Sequence, residues 1–83
     1  MGQVLINLQV PAVNVNYDLF APDEAAIKDI VPLLAKGVSD MSNGNYCISG
    51  MEQLASREPD RLLNPRKSLA DYGISDGSVL MLL

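Results

Sequence analysis

The stretch SLADYGISDGSVLMLL, residues 68–83, holds a cap, a turn and an unbroken apolar run in that order. Ser68 can cap a short turn through Leu69, Ala70, Asp71 and Tyr72, and Asp76-Gly77 is a strong turn dipeptide. Residues 78–83 then read as a strand that is apolar at Val79, Leu80, Met81, Leu82 and Leu83. A strand presents alternate residues to opposite faces, so this one is apolar on both.

The rest of the sequence supplies elements for such a strand to join. Val4, Ile6, Leu8 and Val10 are apolar at every second position, which predicts a strand with one buried face, ended by Pro11. Val15, Tyr17 and Leu19 repeat the alternation, with Asn14, Asn16 and Asp18 facing away, so the two runs form an N-terminal hairpin. From Pro22 the period changes. Ile27, Ile30, Val31 and Leu34 form one stripe, Asp23 and Glu24 stand at the expected helix start, and Gly37 after Lys36 marks its end. Pro32 removes one helical hydrogen bond and presses on the carbonyl of Lys28. Two arrangements accommodate it: a kinked helix with Pro32 towards solvent, or a regular part that starts near Asp29. The kinked helix is favoured because the stripe crosses Pro32 without a change of phase. Residues 42–45 form a turn, residues 46–49 a short strand, and residues 50–61 a loop with weak strand at 53–55. The order β, β, α, β, short β, β predicts an α+β, β-grasp fold. It is a mixed sheet of four to five strands with one main helix packed on one face, all in a single domain spanning 1–83.

Composition narrows the chemistry. The 83 residues are 48% hydrophobic, 19% charged and only 5% aromatic, so the core is aliphatic. A net charge of −4 argues against nucleic acid as a partner. Four of the six basic residues, Arg57, Arg61, Arg66 and Lys67, nevertheless fall within residues 57–67, beside Glu58 and Asp60. That stretch reads as a solvated loop with local ion pairs, or as a basic spot that orients an acidic partner. With no histidine and one cysteine, Cys47, the chain lacks the usual base for a nucleophile, a zinc ligand set and an internal disulfide. Cys47 is expected to be a small strand residue, and Asp23, Glu24, Asp71 and Asp76 are explained by helix start and turns. The glycines lack phosphate-loop spacing. No catalytic, cofactor-binding or metal-binding residues are expected. No apolar run approaches the ~20 residues of a membrane helix, and no signal sequence is present, so a cytoplasmic chain without membrane insertion is expected.

The spacing of Leu69, Tyr72, Ile74, Asp76-Gly77 and the apolar strand resembles the end of ubiquitin-like domains. Within that superfamily, the phrase Gly-Ile-Ser-Asp-Gly at 73–77 and the helical proline in Ile30-Val31-Pro32-Leu33-Leu34 resemble the YukD/EsaB proteins of bacterial type VII secretion systems. They are also similar to the ubiquitin-like cytosolic domain of the membrane component EccD. The resemblance implies a non-catalytic accessory or regulatory protein that binds type VII secretion components. It also places Leu80 and Leu82 inward, which leaves Val79, Met81 and Leu83 outward, beside Leu5 of the first strand. These four are the expected protein-interaction face, unless chain ends or residues 50–61 cover them. Burying about 300 Å² of apolar surface there is worth about 7 kcal/mol before association costs. A homodimer through the same patch is a further expectation. Two alternatives stand beside this reading. One is an EccD-like domain of a longer membrane component, against which Met1 and the lack of a linker after Leu83 argue for a complete chain. The other is a sulfur-carrier-like protein without the Gly-Gly tail, since the sequence ends Met81-Leu82-Leu83.

Overall fold

A computed structural model describes residues 2–57 and 60–83; Met1, and Glu58 and Pro59 of the expected loop, lie outside the described residues. Strands β1 (Gln3–Val10) and β2 (Val15–Pro22) form an antiparallel hairpin in register from Gln3↔Pro22 to Val10↔Val15. Val4, Ile6, Leu8 and Val10 are all buried, as the alternation of β1 requires. Asn14 closes the hairpin in the left-handed region, φ 54°, where asparagine is tolerated.

Helix α1 (Ile27–Met41) starts later and ends later than the sequence suggests. Pro22 belongs to β2, whose pairing with Gln3 extends the hairpin into the expected first turn. Asp23 and Glu24 precede the helix and do not begin it. The cause is a cap supplied by the tertiary structure. Ala26, at the N-cap, has no capping side chain, and the Ile27 and Lys28 amides donate to the carbonyls of Lys67 (2.8 Å) and Pro65 (2.9 Å). Pro32 sits inside one helix on its exposed side. Gly37 does not end the helix. Termination falls to Asn43, φ 56°, with Asn43 N–H donating to Asp40 O (3.3 Å) and Gly44 N–H to Ser39 O (2.8 Å). This is the paired bonding of a Schellman motif, with asparagine in the place usually held by glycine.

Residues 46–49 are not a strand. Cys47 is consequently exposed on an irregular segment and not a strand residue. Strand β3 (Leu54–Ser56) lies close to the expected weak strand, and β4 (Arg61–Leu62) pairs with it antiparallel. A 3₁₀ turn (Ala70–Tyr72) comes next, where Ser68 N–H donates to Asp71 Oδ2 (2.9 Å) and Asp71 N–H to Ser68 Oγ (3.2 Å). Strand β5 (Ser78–Leu82) then enters the middle of the sheet, whose order is β2-β1-β5-β3-β4. It runs parallel to β1 and antiparallel to β3. Asp76-Gly77 sets this entry: Leu5 N–H donates to Asp76 Oδ1 and Gly77 N–H to Leu5 O, both at 2.8 Å. Gly77 is at φ 90°, a conformation strained for any side chain-bearing residue. Helix residues Ile27, Ile30, Leu34, Ala35 and Val38 pack with Ile6, Leu8, Leu54, Leu69, Leu80 and Leu82 into one core. Val31, also in the expected stripe, is only half-buried at its rim. This is the β-grasp arrangement, with one helix covering one face of a five-stranded mixed sheet.

Candidate functional site

The face of the sheet away from α1 is the candidate site. Leu80 and Leu82 are buried under the helix, 0% and 1% exposed, so alternation sends Val79 and Met81 to the other face. Register decides what joins them. Asn7 and Gln9 pair with Val79 and Met81 across the parallel ladder, and Met81 pairs with Ala55, which in turn pairs with Leu62. On the other side Leu5 pairs with Phe20. Leu83 exchanges two backbone hydrogen bonds with Gln53 (2.8 and 2.9 Å), so it continues the ladder past β5.

The four residues singled out by sequence therefore share one face. Leu5, Val79 and Met81 are half-buried there, and Leu83 is 52% exposed. Residues 54–56 and 61–62 lie beside these side chains as strands of the same sheet, so this part of the expected loop does not fold over them. Two residues were missed. Phe20 is 64% exposed and Leu62 57% exposed, and both extend the apolar face. The signal for Phe20 was its phase: it follows Asn16 and Asp18 at every second position and is the apolar member of that outward set. Leu62 was legible only as one of the pair Leu62-Leu63, and which of the two turns inward depends on a two-residue strand. Polar groups share this face with the apolar ones: Asn7 and Gln9 of β1 lie directly beside Val79 and Met81. Asn7 Nδ2 donates to Asp18 Oδ1 (3.0 Å), and Arg57 Nη1 donates to Gln9 Oε1 (2.7 Å).

A second feature lies on the helix side of β3 and β4. A groove of about 550 Å³ is walled by Val31, Pro32, Ile48, Leu54, Leu62 and Pro65, among others. One of its rims is a loop organised by Glu52. The Glu52 carboxylate accepts from Ser49 N–H (2.6 Å), Ser49 Oγ (3.1 Å), Gly50 N–H (3.0 Å) and Tyr46 Oη (3.1 Å). The Ser49 amide in particular holds the Glu52 carboxyl below its usual range. Burial, with the nearby Glu52 carboxylate second, pushes the Tyr46 hydroxyl up to about 12. The hydrogen bonds to Glu52 that accompany both shifts hold this loop in shape. Among the described residues no group of three or more metal-ligating side chains comes together, and no helix is long and apolar enough to cross a membrane.

Comparison with known proteins agrees with this fold. The family model described as "WXG100 protein secretion system (Wss), protein YukD" matches residues 5–82. The ubiquitin-like domain of the Mycobacterium tuberculosis type VII secretion system protein ECCD1 superposes with a TM-score of 0.81 at 20% identity, covering 100% of this chain and 99% of that one. The EccD5 ubiquitin-like domain from Mycobacterium xenopi gives 0.82 at 17% identity, covering 100% and 94%. A chain of the MycP5-free ESX-5 inner membrane complex gives 0.80 at 16% identity, covering 98% of this chain and 20% of that one. Among curated proteins there is no match.

Proposed function

This chain belongs to the YukD family of the WXG100 protein secretion system, and on that premise we propose that it is a non-catalytic, cytoplasmic docking module for type VII secretion components. The observation that carries the proposal is the apolar face opposite the helix. Leu5, Val79, Met81 and Leu83, extended by Phe20 and Leu62, are turned away from the core, with Asn7 and Gln9 of β1 among them on the same face. Exposed apolar side chains interspersed with hydrogen-bonding groups suit a protein interface. The site offers an anchor set and no reactive group, so its work is capture.

Replacing Met81 and Leu83 together with aspartate is expected to abolish co-purification with the membrane-embedded secretion components. Leu33→Asp, on the exposed helix surface, should leave capture intact. Leu83→Asp alone, at a half-exposed position, keeps the test valid if the double variant folds poorly. Capture undiminished in both would overturn the docking role. Dimerisation of the free chain through the same face would appear as a mass shift abolished by the same substitutions. The EccD-like alternative is favoured by one observation: in the ESX-5 inner membrane complex this fold occupies a fifth of a longer chain. The length of the natural reading frame separates the two.

A further inference from the structure

A groove of about 600 Å³ lies at the end of the sheet where β5 begins and β3 ends, lined in part by Gln9, Arg57, Arg61, Tyr72, Ile74 and Val79. We propose that this groove binds an acidic segment of a partner polypeptide, with Arg57 and Arg61 as its carboxylate-binding residues. The inference rests on the docking role above, because Gln9 and Val79 belong to both the groove and the apolar sheet face.

Charge is the first argument. The chain carries ten acidic and six basic residues, yet the described lining of this groove holds two guanidinium groups and no carboxylate. Asp71 and Asp76, on the adjoining segment, are committed to backbone amides of Ser68 and Leu5. Orientation is the second. The Arg61 guanidinium stands 4.6 Å from the centroid of the Tyr72 ring, and Tyr72 Oη accepts the Asn64 amide at 2.8 Å. The ring is thus anchored at its far end and presents a fixed platform for the arginine. Arg57 is steadied by Gln9 at 2.7 Å, while its 4.0 Å contact with Asp60 joins two side chains that are 49% and 74% exposed. That pair is loose enough for an incoming carboxylate to replace. A planar guanidinium fork suits a carboxylate, and Ile74 and Val79 supply apolar contact between charges. The matching ligand is therefore a peptide that alternates acidic and aliphatic residues. A nucleic acid fits poorly, since a chain of net charge −4 repels a long polyanion.

The test is an NMR titration of the full chain with an acetylated seven-residue peptide alternating glutamate and leucine. Saturable shifts at the amides of Arg57, Arg61, Gly73, Ile74 and Val79 are expected. Arg57→Gln with Arg61→Gln should weaken binding by roughly tenfold or more. Arg66→Gln, outside the groove, should change it by less than about twofold. Equal binding of the glutamine–leucine peptide would overturn the proposal, as would equal competition by inorganic phosphate or an oligothymidylate. So would shifts spread evenly over Arg66 and Lys67. The Leu83→Asp chain separates this inference from the docking role. Peptide binding retained by that variant while capture is lost supports the groove as a distinct subsite. Failure of the peptide to bind wild-type chain that still captures its partner overturns the groove alone.

Discussion

The half of the sheet built from β1, β2 and β5 is held differently from the half that carries β3 and β4. In the first, β1 and β2 pair over their full lengths and β5 adds a parallel ladder from Ile6↔Ser78 to Gln9↔Met81. Seven of its side chains, Val4, Ile6, Leu8, Val10, Ala21, Leu80 and Leu82, are buried in the same core. In the second half β3 spans three residues and β4 two, and the approach to β3 is irregular. There one carboxylate does the work of a ladder, with Glu52 gathering two amides and two hydroxyls. A backbone ladder leaves a period in the sequence. A side chain that gathers amides leaves only one acidic residue among others.

This difference can be broken experimentally. The largest effect is expected from Leu80→Ala, which empties the centre of the laddered half. It should lower unfolding free energy by about 3 kcal/mol in urea titrations, as a single cooperative loss. A loss under about 1 kcal/mol would mean that β5 is not the keystone of the core. Glu52→Gln is expected to cost about 1–2 kcal/mol and to act locally. Amide exchange at Ser49 and Gly50 should accelerate while β1 and β5 keep their protection. Glu52 and Tyr46 also make the loop that leads into β3 respond to pH. Because the folded Glu52 carboxyl lies below its usual range, its contribution is present above the ordinary carboxylate pKa of about 4.3 and fades as pH falls through the lower, folded value. Tyr46 works in the opposite direction: its neutral form is favoured, so its contribution is full below 10.0 and lost as pH rises through about 12. Glu52→Gln should abolish the acid-side loosening of residues 46–52. Retention of that response would place its source elsewhere.

What the sequence revealed follows the same division. The alternation of β1 and the unbroken apolar run of β5 were sufficient to place those strands, while the inward setting of Leu80 and Leu82, and with it Leu5, Val79, Met81 and Leu83 on one face, came from the resemblance to ubiquitin-like domains. Residues 46–49 read as a short strand, whereas Tyr46 reaches the core cluster from an irregular segment, with its hydroxyl bonded to Glu52. The helix start was misread for a related reason. Asp23 and Glu24 carry a local signal, but the carbonyls that satisfy the first helical amides come from Pro65 and Lys67, far along the chain. Gly37 likewise signals a helix end locally, while the left-handed conformation falls to Asn43. The apolar face was found in part because one strand was apolar throughout. Phe20 was legible in the outward phase of its own strand, whereas Leu62 joined the face through cross-strand register, which no single segment encodes.

The most direct test of the docking face is a hydrogen–deuterium exchange footprint of the chain bound to the purified, detergent-solubilised secretion complex. Protection is expected to concentrate on β5 and the adjoining residues of β1 and β3, with the exposed helix surface at Leu33 and Met41 unchanged. Protection centred on Leu33 and Met41, with β5 indifferent to the complex, would contradict the docking role.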